Sequence, residues 1–215
     1  MYGLANILGN FIASKLNFDQ ERREVIIYGA FVFMHNLAIV LIVLLVAFIA
    51  GIFKETVIII LAFGLLRRFG GGIHVSSPLF CMVSSIIVFP LLGILAAVFS
   101  GYLLNVALFG RFVFFLLISS AALICVLFYA PREHPNHPFS TRMRVRLRAL
   151  SLVISLICTG FLLLGVLWGS FLKEATAVGM ALIFQALNLL PAGGWFMDKL
   201  DKAFSHFFQK EAKSP

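Results

Sequence analysis

Long apolar runs constrain the fold of this 215-residue chain more than any other feature. About 20 apolar residues are enough to cross a bilayer as a helix. A spanning segment must satisfy its own backbone hydrogen bonds, so such runs predict helices. We therefore predict an all-α polytopic membrane protein with about six transmembrane helices. The runs cover residues 26–53, 56–66, 78–99, 112–130, 149–171 and 175–190, of which 56–66 is short.

Composition supports a single integral-membrane domain over residues 1–215. The chain is 61% hydrophobic and only 12% charged, whereas a soluble domain has about 25% charged residues. Between and beside the apolar runs we predict four other parts. These are an amphipathic N-terminus (1–24), a reactive loop (67–77), a basic loop (131–148) and a charged C-terminal tail (198–215).

Apolar residues near the N-terminus recur at helical spacing on one face, which predicts an amphipathic helix. We place this helix on the inner membrane surface; the alternative is an ordinary helix packed on protein. The residues of this face are Leu4, Ile7, Leu8, Phe11, Ile12 and Leu16.

The segment 67–81 collects basic, polar and reactive groups between two apolar runs. Ser77 followed by Pro78 is a strong helix start, which puts Cys81 in the first turn. The amino end of a helix favours a thiolate there. Three glycines before His74 allow the chain to turn back toward Cys81. A cysteine beside a histidine is the minimal activated nucleophile.

Two arginines in the same segment, Arg67 and Arg68, are suited to binding a substrate carboxylate or steadying an anionic intermediate. The alternative interpretation is structural. A free cysteine such as Cys81 is often a small buried apolar side chain. Basic residues are also common at the cytosolic ends of membrane helices.

The segment resembles the active region of the AgrB (accessory gene regulator protein B) family. That region carries an Arg-Arg pair, a Gly-x-His element and a Cys seven residues after the His. The similarity extends through the amphipathic N-terminus and the six apolar segments. The matching motifs are Arg67-Arg68, Gly72-Ile73-His74, Cys81, Tyr129-Ala130-Pro131 and Leu189-Leu190-Pro191.

This resemblance implies an integral-membrane cysteine endopeptidase of Gram-positive quorum sensing. AgrB-like proteins cut an AgrD-type propeptide, whose C-terminal region is acidic, and cyclise its core to a thiolactone or lactone. By position, Cys81 and His74 inherit the catalytic roles, and Arg67 and Gly72 inherit supporting ones. The resemblance also implies a homodimer in the bacterial cell membrane.

Polar residues elsewhere allow two interpretations each. Arg142, Arg144 and Arg146 fit anionic lipid and equally a dock for an acidic peptide tail. Gln185 lies in the last apolar run and either forms an interhelical hydrogen bond or orients His74. Metal binding needs more ligands than the two histidines at 134 and 137 provide, so we predict no metal and no cofactor. We also find no nucleic-acid motif.

The positive-inside rule orients the chain. With six spans, 14 of the 17 Lys and Arg residues fall on one side, which is therefore cytosolic. We expect both termini and the reactive loop on that side, in a compartment that keeps thiols reduced. The cytosolic residues are Lys15, Arg22, Arg23, Arg67, Arg68, Arg132, Arg142, Arg144, Arg146, Arg148, Lys199, Lys202, Lys210 and Lys213.

Two other classes of function remain open from the sequence. A membrane transporter or exporter would explain polar residues within spans, although no inverted repeat is visible. A non-enzymatic membrane scaffold or sensor would use the basic loop to bind lipid or a partner. In that case Cys81 would be inert to alkylating reagents in intact membranes.

Overall fold

The computed structural model describes residues 2–16, 19–73, 77–133 and 139–211, without the side chains of Tyr2, Ser205 and residues 207–211. These residues form helices and no named strand, which confirms the all-α prediction. The helices are α1 (Tyr2–Lys15), α2 (Gln20–Ile49), α3 (Phe53–Gly70), α4 (Pro78–Leu104), α5 (Leu108–Tyr129), α6 (Thr141–Leu167), a 3-10 turn (Gly169–Phe171), α7 (Leu172–Leu189) and α8 (Pro191–Glu211).

Five segments in the described part of the chain are long and apolar enough to cross a membrane. They are α2, α4, α5, α6 and the segment Gly169–Leu189, which contains α7. The remaining predicted span, 56–66, corresponds to α3. Its 18 residues extend about 27 Å but include four charged residues, two at each end. A multi-pass membrane protein is therefore confirmed, while a count of six spans is not.

The chain forms two compact units, Met1–Val46 and Ala47–Pro215, with the boundary inside α2. In the first unit α1 contacts α2 around Gly9 and Asn10. A Cβ on Gly9 would lie 2.5 Å from Ile27 Cγ1, and Arg23 Nε donates to Asn10 Oδ1 at 2.7 Å. Most of the predicted apolar face of α1 is exposed, so its place on the membrane surface stays a prediction.

Helix α7 is the centre of the second unit and packs against α3, α4, α5 and α6. Seven consecutive residues, 175–181, are all buried. Most of them are small, and a helix that is buried on every side needs small residues for close approach of its neighbours. Gly165 of α6 illustrates this approach, because a Cβ there would lie 2.3 Å from the Cβ of Ala175.

Helices α3 and α7 run parallel, and their amino ends exchange ion pairs. Lys54 pairs with Glu174, and Lys173 Nζ lies 3.4 Å from Glu55 Oε1. The carboxyl ends of the same helices meet at the other end of the unit, where Gln185 of α7 contacts the segment that follows α3. We call this second end the reactive end.

Helix bounds correct two predictions at the reactive end. Helix α6 begins at Thr141, because the Ser140 side chain caps it by accepting from the Met143 amide at 3.3 Å. The arginines at 142, 144, 146 and 148 therefore lie on two helical turns and not in a loop. The predicted charged tail is part of α8, which begins at Pro191; the side chains of Phe207 and Phe208 lie outside the described part.

The contact between α6 and α7 gives a stability prediction. We expect Gly165→Ala to destabilise the protein by about 1–3 kcal/mol, because the new methyl overlaps Ala175 and forces the two backbones apart. Gly160→Ala on the same helix is the control: nothing lies within 4 Å of its Cβ position. Thermal unfolding in detergent measures both, and equal melting temperatures for the two variants would contradict this packing.

Candidate active site

The candidate nucleophile Cys81 lies on the first turn of α4, as predicted. Ser77 caps the helix by accepting from the Phe80 amide at 3.3 Å, and Pro78 occupies the first helical position. The Cys81 amide closes the first main-chain bond of the helix, to the Ser77 carbonyl at 3.0 Å. Cys81 is a free cysteine of intermediate exposure. Its side chain is therefore partly accessible at the positive end of the α4 dipole.

Arg67, near the carboxyl end of α3, forms hydrogen bonds with the segment that follows the helix. Its backbone carbonyl accepts from the Gly71 amide at 2.9 Å, and its guanidinium donates to the Ile73 carbonyl. The guanidinium also lies within electrostatic range of Cys81. A Cβ on Gly72 would meet Arg67 Nη1 at 3.0 Å. Arg67 and Gly72 are thus in contact, with Cys81 within electrostatic range of Arg67, whereas Arg68 is exposed.

Gly71 is the turning point of the reactive loop. Its φ of +70° with ψ of −162° is a conformation available essentially only to glycine. A Cβ at this position would lie 2.5 Å from the Arg132 carbonyl oxygen. Arg132 pairs with this segment as an isolated parallel bridge, with its amide donating to the Gly70 carbonyl at 3.0 Å. Of the three glycines, Gly71 is the one whose backbone requires the absence of a side chain.

Gln185 supports the same loop from α7. It is 2% exposed, and its Nε2 donates to the Gly71 carbonyl at 3.0 Å. Its Oε1 and the neighbouring Ser151 Oγ are buried without a hydrogen-bond partner among the described residues. A Cβ on Gly70 would lie 3.0 Å from Ser151 Oγ and 3.1 Å from Gln185 Nε2. His74 lies outside the described residues, so its orientation by Gln185 stays a prediction.

The arginines at the start of α6 divide into two pairs. Arg144 forms two hydrogen bonds with the Glu133 carboxylate. Its Nε donates to Oε1 at 2.5 Å and its Nη2 donates to Oε2 at 3.0 Å. These hydrogen bonds hold the pKa of the Glu133 carboxyl below its usual value, so the ion pair persists at neutral pH and is lost only as the pH falls through that lowered pKa. Arg142 and Arg146 are exposed and have no hydrogen-bond or ion-pair partner in the described part of the chain.

Sequence reasoning missed three residues that fix the site. Arg132 joins the reactive loop to the α7–α8 corner, because its Nη1 donates to the carbonyls of Asn188 and Leu190, each at 3.2 Å. Glu133 neutralises Arg144, and Ser151 faces Gly70. No spacing in the sequence indicates these contacts, since the partners are separated by more than 50 residues along the chain in most cases.

No metal-binding group appears among the described residues. His134 and His137 lie outside them. The cysteines at 81, 125 and 158 are all free. The site therefore consists of one partly exposed thiol, one half-buried guanidinium and a loop held by long-range hydrogen bonds.

The structure defines a class of protein. It is a multi-pass helical protein with a cysteine at the start of a helix, beside a loop that contains glycine and follows an arginine. The profile of the family described as "Accessory gene regulator B" matches residues 5–189. The chain belongs to this AgrB family, which functions in accessory gene regulator quorum sensing.

Similar proteins support this assignment over most of the chain. An AgrB-like protein 2 of Clostridium perfringens (strain 13 / Type A) is 26% identical over 211 residues, which is 92% of this chain and 95% of the relative. Accessory gene regulator protein B of Staphylococcus aureus (strain Newman) is 26% identical over 181 residues, which is 84% of this chain and 88% of the relative. No solved structure shows significant similarity to the chain.

The Gly71 turn gives a prediction about the site. We expect Gly71→Ala to cost about 1–3 kcal/mol from backbone strain and to separate the loop from Arg132. Hydrogen exchange should then rise in peptides that cover residues 66–73 and 130–133. Gly64→Ala on α3 is the control, because nothing lies within 4 Å of that position. Unchanged exchange in Gly71→Ala would refute the proposed role of this turn.

Proposed function

We propose that this protein is a membrane-embedded cysteine endopeptidase that cleaves an AgrD-like propeptide and cyclises its core. The observation that carries the proposal is the position of Cys81, on the first turn of α4 and within electrostatic reach of the Arg67 guanidinium. Both the amino end of a helix and a nearby cation stabilise negative charge that develops during a reaction. Family membership supplies the substrate class.

The proposed reaction begins with attack by the Cys81 sulfur on the carbonyl carbon at the carboxyl end of the signal core. His74 takes the thiol proton and returns it to the nitrogen of the departing acidic segment as the C–N bond breaks. The core is left as a thioester on Cys81. Arg67 stabilises the anionic sulfur before attack and the oxyanion during it, because a positive charge there favours both.

Cyclisation follows when an internal Cys or Ser of the peptide attacks the thioester and releases Cys81 as a free thiol. The product is a thiolactone with Cys and a lactone with Ser. Thioester exchange is nearly balanced in energy, so the protein must hold the ring-forming residue in place. Exclusion of water from the site favours this step over hydrolysis.

Gln185 completes the proposed catalytic set. Its Nε2 is committed to the Gly71 carbonyl, while its buried Oε1 has no donor among the described residues. We assign this oxygen to the N–H of the His74 ring that does not face Cys81. In that arrangement Gln185 fixes the ring orientation and the tautomer of His74.

The proposed setting is the cytosolic face of a bacterial cell membrane, with both termini on that side. The reactive end carries most of the basic residues of the second unit, which suits an inner leaflet rich in anionic lipid. The acidic tail of the propeptide docks at the basic start of α6, and its amphipathic leader lies in the membrane. The active form is a homodimer, as the family resemblance implies.

Cleavage by Cys81 is tested by mass spectrometry after co-expression with the propeptide encoded beside this gene. Wild type should yield a cut core that is lighter by one water than the linear core. Cys81→Ala and His74→Ala should leave the peptide whole. Cys125→Ala and Cys158→Ala are matched controls that remove the other free thiols. Cleavage by folded Cys81→Ala would eliminate this mechanism and favour an exporter or scaffold.

The role of Gln185 is tested by the pH profile of cleavage. A carboxylate at this position stabilises a nearby imidazolium, so Gln185→Glu should move the limb of the kcat profile that reports His74 upward by about one pH unit. The overall rate falls as well, because the donor to the Gly71 carbonyl is lost. Asn188→Asp is the control on the same helix, where the native amide donates to Phe184. A lower rate with an unshifted limb would assign Gln185 to loop support alone.

A further inference from the structure

The arginines that begin α6 lie on two faces of the helix. Residues four apart share a helix face, so Arg142 and Arg146 form one pair and Arg144 and Arg148 form the other. The second pair is occupied within the protein. Arg144 holds Glu133, and Arg148 Nε donates to the Ala130 carbonyl at 2.7 Å.

The occupied pair fixes the short segment 130–133 at both of its ends. The middle of this segment contacts the reactive loop directly, because the Arg132 amide donates to the Gly70 carbonyl. The guanidinium of Arg132 then reaches the carboxyl end of α7. A continuous series of contacts therefore runs from Arg144 through Glu133 and Arg132 to Gly70 and Gly71.

The two pairs also differ in whether their positive charge is neutralised within the protein. A two-point contact between guanidinium and carboxylate is among the stronger polar interactions in proteins. A carboxylate from a substrate would compete with Glu133 for the Nε and Nη2 edge of Arg144, and the Glu133 side chain is just 20% exposed. The exposed pair Arg142 and Arg146 has no such internal partner among the described residues.

We propose that Arg142 and Arg146 bind the acidic tail of the peptide substrate, and that Arg144 with Glu133 positions the reactive loop through Arg132. This inference rests on the proposed function, since it concerns the same substrate and the same loop. It separates three arginines that the sequence alone treats as equivalent. It also makes Glu133 a positioning residue. The alternative is that Glu133, which carries the same negative charge as the tail, competes with the tail for the arginines.

Steady-state kinetics on the purified protein in anionic vesicles separates the two roles. The substrates are two synthetic propeptides, one with its acidic tail and one with the tail carboxylates replaced by amides. In the double variant Arg142→Ala/Arg146→Ala, KM for the acidic peptide should rise roughly tenfold, and the KM ratio between the two peptides should fall toward one. Arg144→Ala and Glu133→Gln should instead lower kcat for both peptides with little change in KM.

The charge exchange Glu133→Arg/Arg144→Glu tests the pair as a unit and should restore part of the kcat lost in Arg144→Ala. Lys202→Ala removes an exposed charge from α8 and should leave kcat and KM within twofold of wild type. A rise in KM for Arg144→Ala that matches the double variant would overturn the division of roles. So would a lower KM in Glu133→Gln, since that result would make Glu133 a competitor of the tail.

Two measurements without catalysis keep this inference separate from the proposed function. Hydrogen exchange across 66–73 and 130–133 should increase in Arg144→Ala and stay at the wild-type level in Arg142→Ala/Arg146→Ala. Binding of the fluorescently labelled acidic peptide to Cys81→Ala should weaken in the double variant and persist in Arg144→Ala. Failure of wild type to cut the peptide would refute the endopeptidase alone. Equal exchange in the two arginine variants would refute the positioning role.

Discussion

The backbone between α3 and α4 leaves the helical state at the end of an apolar bundle, where its polar groups need partners within the protein. Three separate elements supply them: Arg67 from α3, Gln185 from α7 and the Arg132 amide beyond α5. Each donor reaches one carbonyl of the segment 70–73. The setting of Cys81 therefore depends on how α5 and α7 end as much as on the local sequence. This requirement also explains why a polar residue such as Gln185 is buried in α7.

Local features of the site follow from the sequence because they depend on a few adjacent residues. Ser77 and Pro78 are enough to define the start of α4 and the place of Cys81. The all-α class follows from apolar runs in the same way. The start of α6 is also indicated by the sequence, since Ser140 is a good N-cap. The prolines at 131, 135 and 138 favour a loop, and the predicted loop runs past Ser140 to residue 148. Contacts of Arg132 and Glu133 depend on tertiary packing, which one sequence does not encode as a pattern.

The two ends of α3 are stabilised differently, and this difference explains how a short, charged helix fits into the bundle. At its amino end, Lys54 and Glu55 meet Glu174 and Lys173, so opposite charges neutralise one another. At its carboxyl end Arg67 has no carboxylate partner among the described residues. It donates to a carbonyl and lies over the Phe63 ring, 5.8 Å from the centroid. A guanidinium held by neutral groups keeps its charge available, which suits the proposed reaction, in which a sulfur and an oxyanion become negative.

Gln185 and Asn188, three residues apart on α7, show why a buried amide beside the reactive loop is informative. Asn188 donates to the Phe184 carbonyl in its own helix, so its amide group is satisfied locally. Gln185 reaches out to Gly71 and leaves Oε1 buried without a donor among the described residues. Such an unpaired acceptor costs about 1–3 kcal/mol, and most buried polar atoms avoid this cost. A ring N–H from His74 would recover it. The unpaired oxygen therefore favours Gln185 over Asn188 as the third member of the proposed catalytic set.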